Sequence, residues 1–200
     1  MLPLIYTDTG AAAVFIAACL FWLVPETIGM GWQWAKVSRQ AAVVQDRGSL
    51  AVLLGLQWTG LALNFALARL LPGAAIPWPR PALFVAGVTA MVLGVALRGY
   101  AIWTLGRFFT RDVAVSADQP VVQRGPYRLI RHPAYSGTFL TMLGLGLAMT
   151  NWASLAALLA CVVVGYAYRV QVEEAALVRA MGQPYRDYMR RTKRFIPRLF

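Results

Sequence analysis

The chain of 200 residues is poor in the residues that metal sites and covalent catalysis depend on, since it has one histidine and two cysteines. Cys19 and Cys161 both lie inside apolar runs, without the CxxC spacing of a disulfide framework or a zinc site. Neither a phosphate-binding Walker loop nor a GxSxG nucleophile motif occurs. We therefore expect no bound metal and no covalent enzyme intermediate.

Charge is also scarce, because 14% of the residues are charged and 59% are hydrophobic. A soluble domain has about 25% charged and about 45–50% apolar residues. The composition predicts an integral membrane protein and excludes a disordered chain, a collagen and a small disulfide scaffold. No Lys or Arg precedes the first apolar run, so the basic region of a signal peptide is missing and we expect this run to remain as a helix.

Apolar runs near the length of about 20 residues that crosses a bilayer occur five times. They lie near residues 10–30, 49–71, 82–105, 134–150 and 152–172. The last two are predicted to form a hairpin that turns at Thr150 and Asn151. In the third run, Ala86, Ala90 and Gly94 form a stripe of small residues that favours close helix contact. The fold class is therefore all-α, an integral membrane bundle of about five transmembrane helices.

The distribution of Lys and Arg predicts the orientation of this bundle. Of the 19 Lys and Arg residues, 16 lie in the first loop, the third loop and the C-terminal tail. Because cytoplasmic loops carry the excess of positive charge, we expect a multi-pass protein of a bacterial cytoplasmic membrane, with its N-terminus outside and its C-terminus in the cytosol. Topology then accounts for the net charge of +11 without a nucleic-acid partner.

The single histidine stands in the sequence RHPAYSG, residues 131–137. Pro133 suits the first turn of the fourth helix, and the N–H groups that follow such a start are unpaired and carry partial positive charge. This pattern favours an anionic or polar ligand group beside His132. The alternative is a helix start whose Arg131 and Tyr135 side chains lie among lipid headgroups.

A second polar cluster, Arg169, Glu173 and Glu174, ends the fifth apolar run. Arg169 and Glu173 are four residues apart and so share one helix face. Glu174 is turned about 100° from Glu173 by the helical period, so we expect only one of the two glutamates to face a shared site. The alternative is an interfacial salt bridge, which contributes little to stability.

The tail beyond this cluster combines many arginines with aromatic and aliphatic residues. Phe195 and Ile196 beside this positive charge are typical of a segment that lies on anionic lipid. We interpret Tyr185 and Tyr188 as aromatic anchors at the membrane surface, with closure over a cofactor as the alternative.

Four segments together resemble the isoprenylcysteine carboxyl methyltransferase family and the related phospholipid N-methyltransferases. They are LRGYAIWTLGRFF, GPYRLIRHPAYSG, RVQVEEAALVRAMGQPYRDY and RFIPRLF, and they span about residues 90–200. The resemblance implies one methyltransferase domain over residues 1–200, with two N-terminal transmembrane helices in 1–80 and a catalytic core in 81–200. It also implies the cofactor S-adenosyl-L-methionine, held in a cytosolic pocket between the loop before helix 4 and the C-terminal segment.

The resemblance further implies the residues of the site. Contacts to S-adenosylmethionine fall on Gln119, Pro120, Val121, Val122, Tyr127, His132, Pro133, Ala134, Tyr135 and Glu173. The arginine that binds the substrate carboxylate falls on Arg169. Glu173 can pair with the donor's ammonium group, and Arg169 can hold a carboxylate bidentately. The expected reaction is carboxyl methylation of an isoprenylcysteine-like or other lipid carboxylate that enters from the bilayer.

Three other functions stay open at this point. A phospholipid N-methyltransferase would act on an amine and need a base, for which Glu174 is the candidate. An NADPH-dependent membrane reductase is possible because sterol reductases have a similar RHPxY loop and a tyrosine-rich basic tail. A scaffold or transporter subunit would carry ionisable residues deep in several spans, whereas only Arg98 and Glu26 interrupt the predicted helices.

Overall fold

The computed structural model describes residues 1–37, 43–44, 46–115 and 119–197, and these are mostly α-helical. The helices are α1 (Thr9–Val37), α2 (Ser49–Leu70), α3 (Arg80–Leu105), α4 (Pro133–Ala148), α5 (Trp152–Met181) and α6 (Gln183–Arg191). Two short strands, β1 (Val43–Val44) and β2 (Ala114–Val115), pair antiparallel and join the segments after α1 and α3. The prediction of an all-α membrane fold is confirmed.

Helices α1, α2, α3 and α5 each contain a segment long and apolar enough to cross a membrane. Helix α4 lies where the fourth span was predicted, but it has only 16 residues and is shorter than the bilayer core. Ten of those residues are buried, because α4 packs between α3 and α5 rather than against lipid. Within the described residues, four candidate spans and one short, mostly buried helix thus stand where about five spans were expected.

The turn between α4 and α5 lies at the predicted position. Asn151 caps α5 by accepting a hydrogen bond from the Ser154 N–H at 3.1 Å, and its own amide donates to the Leu71 carbonyl at 2.8 Å. The predicted end of α5 near residue 172 is wrong, since the helix continues to Met181 and stops at Gly182. The apolar run does end near 172, but the following residues, rich in Glu, Ala and Leu, favour helix.

Helices α3 and α4 approach each other closely through glycines at seven-residue spacing. These are Gly87 and Gly94 in α3 and Gly137 and Gly144 in α4. A Cβ atom on Gly144 would lie 2.4 Å from the Gly87 carbonyl oxygen, so no other residue fits without moving a backbone. The predicted stripe is right for Ala90 and Gly94 but wrong for Ala86, which is exposed. The helix period turns Gly87 toward α4 in its place.

The C-terminal segment folds back onto the start of α4. The backbone N–H groups of Arg131 and His132 donate to the carbonyls of Lys193 and Arg194 at 2.8 and 3.0 Å. Tyr185 and Tyr188 of α6 are only 4% and 3% exposed. The interpretation of these tyrosines as membrane anchors is therefore wrong, because backbone pairing turns their side of α6 toward the protein.

Candidate functional site

A cavity of about 100 Å³ lies between the segment that joins α3 to α4, the end of α5, and α6. Nine of the ten residues predicted to bind the cofactor line it: Gln119, Pro120, Val121, Val122, Tyr127, His132, Ala134, Tyr135 and Glu173. Arg169 lines it as well. Pro133 does not, since it forms the first residue of α4 and is buried there. We call this the first cavity.

Tyrosines form much of the wall of the first cavity. Tyr127, Tyr185 and Tyr188 line it, and the Tyr188 hydroxyl donates to the Tyr127 carbonyl at 2.6 Å. Burial raises the pKa of Tyr188 to about 12 and raises the pKa values of Tyr127 and Tyr185 further. The phenols are therefore neutral at physiological pH, and their rings offer flat surfaces on which a planar or cationic group can stack.

His132 is held in place by the two adjacent glutamates of α5, Glu173 and Glu174. Its Nε2 lies 3.2 Å from Glu174 Oε1 and its Nδ1 lies 3.8 Å from Glu173 Oε2. Its ring stacks on Tyr135, with the ring centroids 5.5 Å apart. The imidazole is therefore clamped between two carboxylates and an aromatic ring, and its orientation is determined before any ligand binds.

The two adjacent glutamates have different surroundings. Glu173 lines the first cavity, where its side chain is 28% exposed and its Oε2 accepts the Tyr135 hydroxyl at 2.6 Å. Glu174 lies away from the cavity and pairs with Arg131 at 2.9 Å and Arg194 at 2.8 Å. As predicted, only one glutamate faces the cavity. The other ties α5 to the start of α4 and to the C-terminal segment.

Arg169 is almost completely buried, with 2% of its surface exposed. Its guanidinium forms an ion pair with Asp46 and donates to the Ser49 hydroxyl at 2.7 Å and the Tyr135 hydroxyl at 3.3 Å. It also donates to the Arg111 carbonyl. Arg169 and Glu173 share a helix face, as predicted, and both contact Tyr135. The guanidinium is nevertheless engaged with protein groups on most of its donors.

The Asp46 carboxylate that faces Arg169 is stabilised in its charged form. Partial burial by itself would raise its pKa, but hydrogen bonds from the Leu50 N–H and the Ser49 hydroxyl, together with the charge of Arg169, lower the pKa below its usual value. Asp46 lies just before α2, and Ser49 is the first residue of that helix. Their contacts with Arg169 therefore fasten the start of α2 to α5.

A second cavity of about 180 Å³ lies on the other side of Arg169 and Tyr135. Its walls are mainly apolar and come from α1 and α2, with Trp22, Leu23, Leu53, Leu54 and Trp58 among them. Phe109, Thr110, Tyr135 and Arg169 line both cavities. These four residues therefore form the boundary at which the two cavities adjoin.

The polar end of the second cavity contains ionisable residues to which no role was assigned from the sequence. Glu26 of α1 forms ion pairs with Arg98 of α3 and with Arg111, the latter at 2.7 Å. Glu26 and Arg98 stood out in the sequence as charges within apolar runs, and such charges indicate a functional site. Arg111 carried no such signal, because it lies in a polar loop where arginine is ordinary.

The comparisons with known proteins agree on one family. The sequence model of the family described as phospholipid methyltransferase matches residues 82–184. The chain is 28% identical to protein-S-isoprenylcysteine O-methyltransferase B of Arabidopsis thaliana, over 96% of this chain and 97% of that protein. It is 35% identical to the nickel-cobalt-cadmium resistance protein NccN of Alcaligenes xylosoxydans xylosoxydans, over 56% of this chain and 53% of that one.

A solved structure has the same fold over most of the chain. It is that of a eukaryotic intramembrane Ras methyltransferase, an isoprenylcysteine carboxyl methyltransferase, with a TM-score of 0.56 and 28% sequence identity. The match covers 72% of this chain. The chain spans about half the length of that protein, 51%.

Proposed function

The chain belongs to the phospholipid methyltransferase family, and on that premise we propose that it transfers a methyl group from S-adenosylmethionine to the carboxylate of a lipid acceptor. It is an integral membrane methyltransferase with four candidate spans. The observation that carries the proposal is the pair of cavities, one rich in tyrosine and one mainly apolar, that adjoin at Tyr135 and Arg169.

The first cavity suits the methyl donor by its chemistry. S-adenosylmethionine supplies a methyl group on a positively charged sulfur, together with an ammonium group, a carboxylate and an adenine ring. Glu173 offers the cavity a carboxylate for the ammonium group. Tyr127 and Tyr185 offer aromatic faces for the adenine or the sulfonium. The start of α4 offers partial positive charge for the donor's carboxylate.

Some residues around the first cavity act by positioning others. Glu174 Oε1 lies 3.2 Å from Nε2 of His132, which leaves Nδ1 directed to the side of Glu173. Pro133 does not line the first cavity, so in this proposal it sets the backbone of the α4 start. Tyr135 donates to Glu173 and accepts from Arg169, and in this proposal it thereby aligns the residue that binds the ammonium group of S-adenosylmethionine with the residue that binds the acceptor.

The second cavity suits a lipid acceptor. Its apolar walls between α1 and α2 accommodate an acyl or isoprenoid chain, while Arg169 stands at the boundary. Methyl transfer to a carboxylate brings opposite charges together and needs alignment in a dry site rather than a protein nucleophile. In this proposal the acceptor carboxylate binds to the remaining N–H group of the Arg169 guanidinium, or it displaces the Asp46 carboxylate from that guanidinium.

The family description favours a second candidate, methylation of a phospholipid amine. The second cavity argues for the carboxylate instead, because the described residues that line it include three arginines and one carboxylate, Glu26. An amine headgroup would add positive charge there. An acceptor such as a prenylated cysteine or a fatty acid fits the charge, and the relatives named for isoprenylcysteine methylation use the first of these classes.

The test uses membranes that contain the protein, incubated with S-adenosylmethionine labelled in the methyl group. A carboxyl methyl ester releases its label as methanol in base, whereas N-methyl products retain it. Glu173→Gln should lower donor affinity about 10- to 100-fold, as for the loss of a charged hydrogen bond. Asp187→Asn, on the exposed face of α6, is the matched control. Binding of NADPH without S-adenosylhomocysteine in calorimetric titration would favour the reductase and contradict the proposal.

A further inference from the structure

The second cavity has an unequal number of positive and negative charges at its polar end. Arg169 is paired with Asp46, whereas Arg98 and Arg111 share the single carboxylate of Glu26. Arg98 Nη2 lies 3.1 Å from Glu26 Oε2, and Arg111 Nη2 lies 2.7 Å from the same oxygen. Among the described ionisable residues at this end, one positive charge is therefore uncompensated.

This surplus charge lies within reach of the cavity. The side chains of Arg98, Arg111 and Glu26 are 14%, 18% and 24% exposed, and all three line the cavity. Burial lowers the pKa of Arg111; Glu26 opposes that effect, and the like charge of Arg98 adds to it. A guanidinium keeps its proton even so. The arginine pair therefore presents positive charge to an apolar space, where opposite charge is attracted strongly.

We propose that Glu26 and Arg111 determine the headgroup charge of the acceptor, so that the second cavity takes a lipid with a single negative charge. The inference rests on the proposed function in treating this cavity as the acceptor site. A monoanionic headgroup completes the charge balance of the arginine pair. A cationic amine would add to the surplus, and a dianion would reverse it.

Neighbouring groups support this assignment. Arg98 also donates to the Ala134 carbonyl at 3.4 Å, next to the start of α4, so the arginine pair connects α1, α3 and the boundary of the two cavities. Among the described side chains of α1 and α2, Thr27 and Gln57 are the other polar residues on the cavity wall, and both are neutral. Glu26 is thus the carboxylate that sets the charge on the α1 and α2 side.

The function of Glu26 in this arrangement is selection rather than catalysis. It neutralises one arginine and leaves the other to be matched by the acceptor. Replacing Glu26 by glutamine preserves the shape of the side chain but raises the local charge by one. The variant should therefore prefer a headgroup with two negative charges, and Arg111→Gln should abolish the preference for an anion.

Binding without any methyl donor tests this directly. Purified protein in neutral-lipid nanodiscs at pH 8 is titrated with three lipids of equal chain length: palmitate, hexadecyl phosphate and hexadecylamine. Wild-type protein should bind palmitate more tightly than hexadecylamine. Arg111→Gln should weaken palmitate binding about 10- to 100-fold, the factor for one charge-assisted hydrogen bond. Glu26→Gln should shift the preference from palmitate to hexadecyl phosphate by about tenfold or more.

S-adenosylhomocysteine affinity, measured on the same samples, serves as the folding control. It should remain unchanged in both variants and in Asp187→Asn, whose lipid binding should also be unchanged. If Glu26→Gln does not fold, Arg111→Gln alone decides, since it removes the surplus charge and retains the pair of Arg98 and Glu26. Equal binding of palmitate by Arg111→Gln and wild type overturns the inference. If wild-type protein does not bind S-adenosylhomocysteine, that result would instead contradict the proposed function.

Discussion

Replacing Gly94 by alanine would place a methyl group inside a close contact between α3 and α4. Its Cβ atom would lie 2.4 Å from the Thr141 hydroxyl oxygen, 2.5 Å from the Thr141 nitrogen and 2.6 Å from the Gly137 carbonyl oxygen. Two of these neighbours are backbone atoms, so a change of side-chain rotamer cannot relieve the overlap. The helices must separate.

The size of the effect follows from the cost of overpacking, which is about 1–3 kcal/mol. For a chain of this length each kcal/mol lowers the unfolding temperature by about 2–4 °C. We therefore expect Gly94→Ala to lower the apparent unfolding temperature by about 2–12 °C. Arg98 follows one turn later in the same close contact, where its backbone nitrogen would lie 2.7 Å from a Cβ atom on Gly137. Separation of the helices would therefore displace Arg98, and we also expect lower methyl transfer.

The assay is thermal unfolding of the purified protein in detergent, with Gly99→Ala as the matched control. Gly99 lies in the same helix, and a Cβ atom there would meet nothing within 4 Å. Alanine has the better helix propensity by about 1 kcal/mol, so the control should unfold at the same or a higher temperature. Equal unfolding temperatures for the two variants would refute the close approach of α3 and α4.

Two further predictions concern the charged pairs around the site. Glu174→Gln weakens the ties to Arg131 and Arg194, so we expect faster trypsin cleavage of the tail near residues 190–194. The free energy of unfolding should fall by up to about 3–5 kcal/mol, the cost of breaking a buried pair; unaltered cleavage would contradict this. The pKa of Asp46 is lowered from its usual 3.8, so its ion pair stabilises the fold above that pH and is lost as the pH falls through the lowered value. Asp46→Asn should therefore unfold below wild type by a constant interval from pH 8 to 5, and an interval that fails to close below pH 3.8 would contradict the assignment.

The sequence by itself determined where α1 to α5 lie, apart from the end of α5, and which short motifs meet. The helix positions follow from the length of each apolar run and from local turn residues such as Asn151, which act over a few positions. The family motifs brought His132 and Glu173 to one cavity, because His132 directly precedes α4 and Glu173 lies in α5, the next helix after the turn at Asn151. The helical period alone also turns Glu173 and Glu174 toward different sides of α5.

The partners of the buried charges were decided only by the tertiary structure. Arg169 pairs with Asp46 across 123 positions, and Glu26 pairs with Arg98 and Arg111 across 72 and 85. An apolar helix face can pack against its neighbours at several angles. The positions of the charged residues in a helix therefore do not predict which loop will contact them. The surroundings of Tyr185 were also decided by the tertiary structure, because its ring can pack equally well against lipid or protein. The tail pairs with the backbone at the start of α4, and this pairing places Tyr185 against protein.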